Sequence, residues 1–163
     1  MRTQHEHGSF APNARGFTLI ELVIVVVMIA ILSALAFPSM RSFIVRNRVR
    51  DAASDIFIVL NQARSEALKR NVTITLSPIT AGSWLSGWHI VDPVTGGDLE
   101  AHQPLQAINM SMTGPANVRY QSTGRLTVAA AVAFNISASS GSYTASARVA
   151  IDPSGRPYIT EML

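Results

Sequence analysis

Residues 17–37 read FTLIELVIVVVMIAILSALAF, and this stretch decides the architecture of the chain. It contains a single charged side chain, that of Glu21. A helix needs about 20 apolar residues to cross the hydrocarbon core of a bilayer, whereas apolar runs of about 10–14 residues are typical of helices buried in a soluble core. The stretch therefore predicts a transmembrane helix over residues 17–37, with a buried core helix as the alternative.

The composition agrees with a membrane segment joined to one domain. The chain has 163 residues, of which 48% are hydrophobic and 14% are charged. An ordinary soluble domain carries about 25% charged residues. Cysteine is absent from the sequence, which excludes disulfides and thiolate metal ligands.

A second helical pattern follows the apolar stretch. Apolar side chains recur at spacings of three and four residues, and charged or amide side chains occupy the opposite face. The apolar face comprises Val45, Val49, Ala52, Ala53, Ile56, Leu60, Ala63, Ala67 and Leu68. We therefore predict one long helix over residues 17–71, ending near Asn71 because asparagine suits the end of a helix.

After this helix the hydrophobic pattern changes to a period of two residues, which is typical of β-strands. The segments with this pattern are VTITLS, GWHIVD, VRYQ, VAAAVAFNI, SARVAID and PYIT. Clusters rich in Gly, Pro, Ser and Asp separate them and predict turns, among them SPITAGS, SASSGS and DPSGR. Residues 72–163 are expected to form a C-terminal β-rich domain. The predicted fold class is α+β, with the long N-terminal helix packed on an antiparallel β domain.

Charge is distributed unevenly along the chain. Residues 41–70 carry seven Lys or Arg against three Asp or Glu, a net charge of +4, whereas residues 72–163 carry four against five, a net charge of −1. Four of the basic residues lie within Arg41–Arg50. This cluster either contacts anionic lipid headgroups or lies on a solvated helix face.

The junction before the apolar stretch carries the most specific motif. Residues 14–22 read ARGFTLIEL, which resembles the leader-peptidase and N-methylation motif of type IV pilins and type II secretion pseudopilins. The resemblance implies that residues 1–16 are a leader, that a prepilin peptidase cuts between Gly16 and Phe17, and that the new amine of Phe17 is methylated. It also implies a single-pass protein of the bacterial inner membrane with a periplasmic C-terminal domain.

Glu21 is the predicted assembly residue. A carboxylate inside a spanning helix costs about 2.5–3.5 kcal/mol on insertion scales, and such residues are usually paired and functional. The resemblance implies that the Phe17 amine of one subunit neutralises Glu21 of a neighbouring pilin or pseudopilin. The alternative is that Glu21 only lies at headgroup level. The positive-inside rule favours the opposite topology, because two Lys or Arg precede the predicted span and four follow it closely.

The rest of the chain indicates which members of this family the sequence resembles most. The stretches ARSEALKRN and SGWHI, and a Gly-Arg hairpin near the end, are similar to those of minor pilins and H-type pseudopilins. The implied function is filament assembly and initiation in a type II secretion pseudopilus or type IV pilus, and thereby protein secretion.

The alternative is a DNA-binding minor pilin at a pilus tip, with Arg148 and Arg156 as candidate nucleic-acid contacts. Some DNA-uptake minor pilins carry Gly-Arg-x-Arg, but here Gly155-Arg156-Pro157-Tyr158 lacks the second arginine. The near-neutral domain also disfavours DNA, since nucleic-acid-binding domains usually carry a basic excess.

The sequence contains no pattern of a catalytic, cofactor or metal site, so we predict a protein that is not an enzyme. His89 and His102 lack the spacing of zinc ligands, and no P-loop or Gly-x-Ser-x-Gly motif occurs. Trp84 and Trp88 lie in GSWLSGW, which predicts a turn between strands where they anchor a loop. Stacking on bases is the alternative for these two residues.

Overall fold

The structure, a computed structural model, describes residues 17–105 and 109–162, without the side chains of residues 34–39 and 161–162. The predicted leader and the cleavage residue Gly16 lie outside the described residues. The chain divides into two compact units between Phe37 and Pro38, and each is considered by itself.

One helix, α1, covers Leu19–Arg70. Its end coincides with the change of pattern in the sequence. Asn71 adopts a φ of 54°, the left-handed conformation that commonly follows the last helical residue and that asparagine tolerates. Lys69 and Arg70 in the last turn face the negative end of the helix dipole, which stabilises that end.

In the first unit, the described part of α1 exposes its apolar side chains all around. The large apolar residues between Phe17 and Leu32 are 45–82% exposed. No helix of the described residues is long and apolar enough to cross a membrane. The predicted span over 17–37 includes residues 34–37, whose side chains lie outside those described, and it stays a prediction.

In the second unit, α1 buries one face. The predicted apolar residues from Val45 to Ala67 are at most 3% exposed, and Val59 joins them at 5%. Leu68 is an exception: it was predicted to lie on this face but is 50% exposed. Ala67 in the same turn has no exposed surface, so the buried face follows Ala67 and the helical period alone placed Leu68 wrongly.

The described residues form eight strands in two four-stranded antiparallel sheets. The first sheet has the order β3-β2-β1-β5 and the second the order β4-β6-β7-β8. Their bounds are β1 Ile74–Thr80, β2 Ser83–Val91, β3 Asp98–His102, β4 Met110–Thr113, β5 Val118–Tyr120, β6 Val132–Ser140, β7 Tyr143–Ile151 and β8 Pro157–Met162.

One predicted turn is shorter than expected and another is wrong: within SPITAGS only Ala81 and Gly82 form the turn between β1 and β2. β1 runs through SPITAGS as far as Thr80, and Pro78 fits because β5 pairs only with Ile74–Leu76 and leaves this end of β1 with one neighbour. GSWLSGW is mostly strand β2. Gly87 in that strand has a φ of 88°, and a Cβ there would lie 2.2 Å from the carbonyl oxygen of His102. The glycine therefore marks a close approach of β3, not a turn.

The core lies between the buried face of α1 and the inner faces of both sheets. Its largest fully buried side chains include Trp84, Trp88, Tyr120 and Phe134. Trp84 meets Phe134 edge to face, with ring centroids 4.8 Å apart. At about 25 cal/mol per Å² of apolar area, such aromatic residues contribute more burial energy than any aliphatic residue of the same core.

Candidate functional site

The helix begins with a cap that the sequence analysis missed. The backbone amide of Glu21 donates to the Thr18 hydroxyl at 3.3 Å, and the amide of Leu22 donates to the Thr18 carbonyl at 3.2 Å. Thr18 is therefore the N-cap, which satisfies an amide that has no partner within the helix. The pattern Thr-x-x-Glu is the sequence signature of a capping box and would have identified this residue.

The structure places Glu21 at the start of the helix, and the sequence analysis predicts that it pairs with the Phe17 amine of a neighbouring subunit. It lies in the first turn of α1, where a carboxylate interacts favourably with the positive end of the helix dipole. Its side chain is exposed, as is Phe17 at 82%. Within the described residues Glu21 forms no ion pair, so its carboxylate is available to a group outside the chain.

The apolar residues that follow Glu21 have no cover within the described chain. A monomeric soluble protein rarely exposes a contiguous apolar patch of more than a few hundred Å². Here the exposed surface includes every large apolar side chain from Leu19 to Leu32. Such a surface requires lipid, other helices or both to cover it.

Two turns of the second unit share one hydrogen-bond pattern. In Gln121–Arg125 and in Asp152–Arg156, the first amide donates to the fifth carbonyl, and the glycine amide donates to the first carbonyl. Gly124 and Gly155 both have positive φ, 74° and 85°. The turns lie against each other, because a Cβ on Gly155 would lie 2.0 Å from the Gly124 oxygen.

These paired turns are joined to the helix. Arg64 Nε donates to the Gly124 carbonyl at 3.0 Å. Asp152 Oδ1 accepts from the Ser154 hydroxyl at 2.5 Å and from the Arg156 amide at 3.0 Å. These hydrogen bonds stabilise the ionised form, so they lower the pKa of Asp152 below its usual range. No periodic pattern could have assigned Arg64 to this contact, because its partner lies 60 residues away.

The two predicted nucleic-acid contacts do not come together. Arg156 is exposed in the turn after β7, whereas Arg148 is exposed in the middle of that strand, opposite Asn135 of β6. They are eight residues apart in sequence, one within β7 and the other in the β7–β8 turn. A strand advances about 3.3 Å per residue, so Arg148 lies about 13 Å from Asp152 at the start of that turn.

The tryptophans are not available for base stacking. Trp84 and Trp88 are both 1% exposed. The Trp84 indole donates to the Pro115 carbonyl at 2.8 Å, and Trp88 stacks on His102 with centroids 4.3 Å apart. Their predicted structural role is confirmed, although they lie within a strand and not in a loop.

The histidines pair with single carboxylates. His89 Nδ1 lies 2.6 Å from Asp98, and His102 Nε2 lies 3.8 Å from Asp55. Among the described residues, no group of three or more His, Cys, Asp or Glu side chains is arranged to hold a metal ion.

Two protein-family models match this chain, one near its N-terminus and one over most of the second unit. The family described as Type II transport protein GspH matches residues 52–155. The Prokaryotic N-terminal methylation motif matches residues 12–37.

Curated relatives match a shorter stretch. Two fimbrial proteins of Pseudomonas aeruginosa are 42% identical over 55 residues, which cover 34% of this chain and 36% of each relative. The type IV major pilin protein PilA of Myxococcus xanthus (strain DK1622) is 47% identical over 47 residues, 29% of this chain and 21% of the relative. The chain spans about a third or less of the length of these relatives.

Solved structures match more of the chain. A crystal structure of the type IV minor pilin FimU of Pseudomonas aeruginosa has a TM-score of 0.63 at 20% identity and covers 71% of this chain and 90% of that one. A second crystal form has a TM-score of 0.58 at 19% identity, covering 69% and 92%. At these identities the likeness shows the fold alone, and it confirms the predicted α+β pilin-like fold class.

Proposed function

The chain belongs to the family of type II transport protein GspH, and from that premise we propose that it is a minor pilin or pseudopilin subunit. In this role it assembles into, and helps to initiate, a type II secretion pseudopilus or type IV pilus, and thereby serves protein secretion. It acts through packing and not through catalysis. The observation that carries the proposal is the exposed apolar helix from Leu19 to Leu32, whose first turn contains Glu21, a carboxylate with no ion pair among the described residues.

Processing is the first step of the proposal. A prepilin peptidase removes residues 1–16 by cutting after Gly16, and the amine of Phe17 is then methylated. The methylation motif that matches residues 12–37 supports this step. Phe17 and Thr18 precede the first helical residue, Leu19, so the cut falls in front of the helix and leaves the Thr18 cap in the mature chain.

Membrane insertion is the second step. Residues 17–37 anchor the subunit in the bacterial inner membrane as a single pass, and the second unit lies in the periplasm. Lipid covers the apolar helix before assembly, and neighbouring helices cover it in the filament. Apolar packing alone distinguishes poorly between these two environments, because lipid tails are about as apolar as the helix surface.

Glu21 makes contact with a neighbouring subunit more favourable than contact with lipid. An unpaired carboxylate in the hydrocarbon region is costly, and the Phe17 amine of a neighbouring subunit relieves that cost. The pair therefore favours docking and fixes the axial register of the two helices. Glu21 is exposed at the start of the helix, so a partner can approach it.

The test is crosslinking of the full chain to partner pilins in peptidase-positive cells. Glu21→Ala and Glu21→Gln should be inserted and cut as in wild type but should lose incorporation next to a partner. Thr18→Ala is the matched control, because it removes the cap, at a cost of about 1 kcal/mol, and keeps the carboxylate. Glu100→Ala removes an exposed carboxylate of the β domain.

The outcomes separate three explanations. Loss in both Glu21 variants alone supports the charge pair. Equal losses in Thr18→Ala would assign the effect to the start of the helix. Wild-type crosslinking of Glu21→Ala at equal membrane levels would leave Glu21 without an assembly role, and an uncut Met1 found by mass spectrometry would overturn the processing step.

The alternative function, DNA binding at a pilus tip, gains no support from the side chains described. Arg148 and Arg156 are separated, and both tryptophans are buried. We expect salt-sensitive binding no tighter than the about 10⁻⁴–10⁻⁶ M of non-specific association. A tighter affinity at physiological salt that is lost in Arg156→Ala would reverse this ranking.

A further inference from the structure

A cleft of about 370 Å³ opens between α1 and β7 in the second unit. Phe43, Arg46 and Arg50 line it from the helix, and Ala145 and Ser146 line it from the strand. The three helix residues share a face because they are spaced three and four positions apart. The cleft therefore combines two guanidinium groups with an aromatic ring that is 60% exposed.

Arg46 is held in place at the rim of this cleft. Its Nε donates to the Tyr143 hydroxyl, and its Cζ lies 5.3 Å from the centroid of the Tyr143 ring. An arginine has five N–H donors, and this bond uses one of them. A guanidinium that is already oriented loses less side-chain entropy when it binds an oxyanion, and its planar fork suits a carboxylate.

The described residues do not neutralise the positive charge of the cleft. Residues 38–50 carry four arginines and no Asp or Glu, and neither Arg46 nor Arg50 forms an ion pair with a described side chain. At the other end of the helix, by contrast, Lys69 and Arg70 pair with Glu66. An anionic group outside this subunit is therefore the expected partner of the cleft.

The composition of the cleft is that of a protein interface. Protein–protein contacts are enriched in arginine and aromatic residues and depleted in lysine, aspartate and glutamate. Two arginines and the ring of Phe43 line the cleft, and none of its described lining residues is lysine or acidic. A dissolved anion would bind the arginines but would leave the ring of Phe43 in water. A protein segment with an apolar side chain near a carboxylate would cover both.

The chain itself carries such a segment. The loop of residues 92–98, here called the acidic loop, contains Asp92 and Asp98 and no Lys or Arg. Val94 in this loop is 82% exposed, more than any other large apolar side chain described in the second unit. Asp98 is 49% exposed, and its Oδ1 lies 2.6 Å from His89 Nδ1. The acidic loop therefore presents an apolar side chain and an accessible carboxylate on one short segment.

The cleft and the acidic loop lie at opposite ends of the second unit. Arg70 Nη1 lies 3.6 Å from Asp92 Oδ2, so the acidic loop lies beside the last turn of α1. Arg50 precedes Arg70 by 20 residues, which is about 30 Å along a helix. One chain therefore cannot place its own acidic loop in its own cleft. Two different patches of one molecule bind head to tail, and such contacts repeat into open helical assemblies unless the rotation closes a ring.

We propose that the acidic loop of a second copy of this chain docks in the cleft, with Asp98 on Arg46 and Arg50 and with Val94 against Phe43. The inference rests on the proposed function, because a head-to-tail contact that repeats serves a filament. It adds a contact between β domains that is separate from the contact of Glu21. Both patches lie in the second unit, so the contact requires no particular placement of the apolar helix.

The test is disulfide crosslinking between two copies of the full chain that carry different tags. The chain contains no cysteine, so each introduced cysteine is unique. One copy carries Ser146→Cys in the cleft and the other carries Val94→Cys in the acidic loop, and membranes from cells that express both are treated with a mild oxidant. A disulfide forms only where two Cα atoms approach within about 7 Å. A dimer that joins the two tags is the expected result.

An exchange of charges is the second measurement. Arg46→Glu in the Ser146→Cys copy should lower the dimer yield about tenfold, which corresponds to about 1.4 kcal/mol and to the lower end of the coupling measured for close interfacial charge pairs. Asp98→Arg in the other copy should then restore part of the yield, because opposite charges face each other again. Arg48→Glu is the matched control, since Arg48 is exposed on the same stretch but does not line the cleft, and it should leave the yield unchanged.

A control cysteine and a photoreactive residue decide what occupies the cleft. Ser111→Cys is the control, because Ser111 is exposed on β4 of the same sheet and β6 separates it from β7. Equal dimer yields from Ser111→Cys and Ser146→Cys, no dimer from either, or no response to the charge exchange would refute the docking. With p-benzoylphenylalanine in place of Phe43, an adduct with a different pilin or with a phospholipid instead of a second copy would assign the cleft to that partner.

The same membranes distinguish this proposal from the proposed function. The mass of the N-terminal peptide reports cleavage after Gly16 and methylation of Phe17 independently of the dimer. Correct processing without the dimer would refute the docking and leave the pilin function intact, and a dimer of a chain that is never cut would do the reverse. The variants should remain folded by circular dichroism, because a surface ion pair such as that of Asp98 with His89 contributes little to stability.

Discussion

The two halves of α1 differ in what covers their apolar side chains. From Leu19 to Leu32 the large apolar residues are 45–81% exposed, whereas the apolar face from Val45 to Ala67 is at most 5% exposed. The first half is apolar on all faces and has no partner within the described residues. The second half is apolar on one face, and two sheets of the same chain cover it.

Because of this difference, the apolar side chains of the two halves stabilise different things. The second half contributes to folding of its own domain, because burial of its side chains is part of the native state. The first half leaves its large apolar side chains from Leu19 to Leu32 exposed, and this apolar surface remains for an external environment. A substitution that places a charge in either half should therefore disrupt a different process.

The largest effect is expected from Leu60→Asp, which introduces a charge at a residue with no exposed surface. The lost packing alone is worth about 2–5 kcal/mol, and an unpaired buried charge adds to it. We expect the β domain to unfold, or its free energy of unfolding to fall by more than about 4 kcal/mol. Urea denaturation followed by tryptophan fluorescence measures this, since Trp84 and Trp88 lie in the same core.

Ile58→Asp is the control for Leu60→Asp. Ile58 lies two residues away on the same helix but is 60% exposed. Its free energy of unfolding should change by about 0.5 kcal/mol or less. Similar losses in the two variants would show that the helix is not packed on the sheets in this register.

The next effect concerns the first half of the helix. Val26→Asp introduces the same charge at a residue that is 58% exposed. It should leave unfolding of the β domain unchanged and should weaken membrane insertion by about 2.5–3.5 kcal/mol if it lies near the middle of the span. Fractionation with carbonate extraction measures insertion. A destabilised β domain with normal insertion would reverse the assignment of the two halves.

The difference between the halves was readable from the sequence, because it depends on periodicity. An uninterrupted apolar run from Leu22 to Leu32 and a one-sided pattern after Val45 are properties of neighbouring residues. The end of the helix was readable for the same reason. Asn71 is followed at once by alternating residues, and a single asparagine in the left-handed conformation ends the helix there.

Features that depend on distant partners were not readable. β3 and β4 are short and mostly polar, with the sequences DLEAH and MSMT, so they show little alternation and become strands only because β2 and β6 pair with them. Conversely, residues 128–131 alternate poorly and were included in a predicted strand, but β6 begins only at Val132.

The residues of the candidate site also differ in whether the sequence could predict their role. Glu21 was identified by its local motif, and the Thr18 cap was present in that motif but overlooked. The cleft beside Arg46 could not be predicted, because Tyr143 lies 97 residues away in sequence. Arg148 and Arg156 were candidates because the β domain has few basic residues and Arg156 lies in the Gly-Arg stretch, and the strand geometry separates them.

A smaller effect should appear where the turns meet the far end of the packed half. Gly155→Ala should lower the free energy of unfolding by about 3 kcal/mol, since alanine at a φ of 85° is strained and its Cβ would lie 2.0 Å from the Gly124 oxygen. Gly141→Ala has a similar φ of 62° but no atom within 4 Å, so it should cost only about 1 kcal/mol. Equal losses by thermal denaturation would mean that the two turns do not touch.

The smallest effect is a dependence on pH that belongs to the packed half alone. The Ser154 hydroxyl and the Arg156 amide lower the pKa of Asp152 in the folded state. Because the unfolded chain then binds a proton more readily than the folded chain, Asp152 stabilises the fold above the ordinary carboxyl pKa of about 4. That contribution is lost as the pH falls through the lowered folded value. Asp152→Asn should therefore reduce the fall in melting temperature between about pH 5 and pH 2, and Ser154→Ala should reduce it in part.

Both variants keep the Arg156 amide and the turn glycine, so their unfolding at pH 7 should remain cooperative. Membrane insertion of the same variants should not change with pH relative to wild type, because Asp152 lies in the second unit. A melting temperature that falls as steeply in Asp152→Asn as in wild type would assign the acid sensitivity to other carboxylates, with Asp92 the next to test because the Val94 amide lowers its pKa in the same direction.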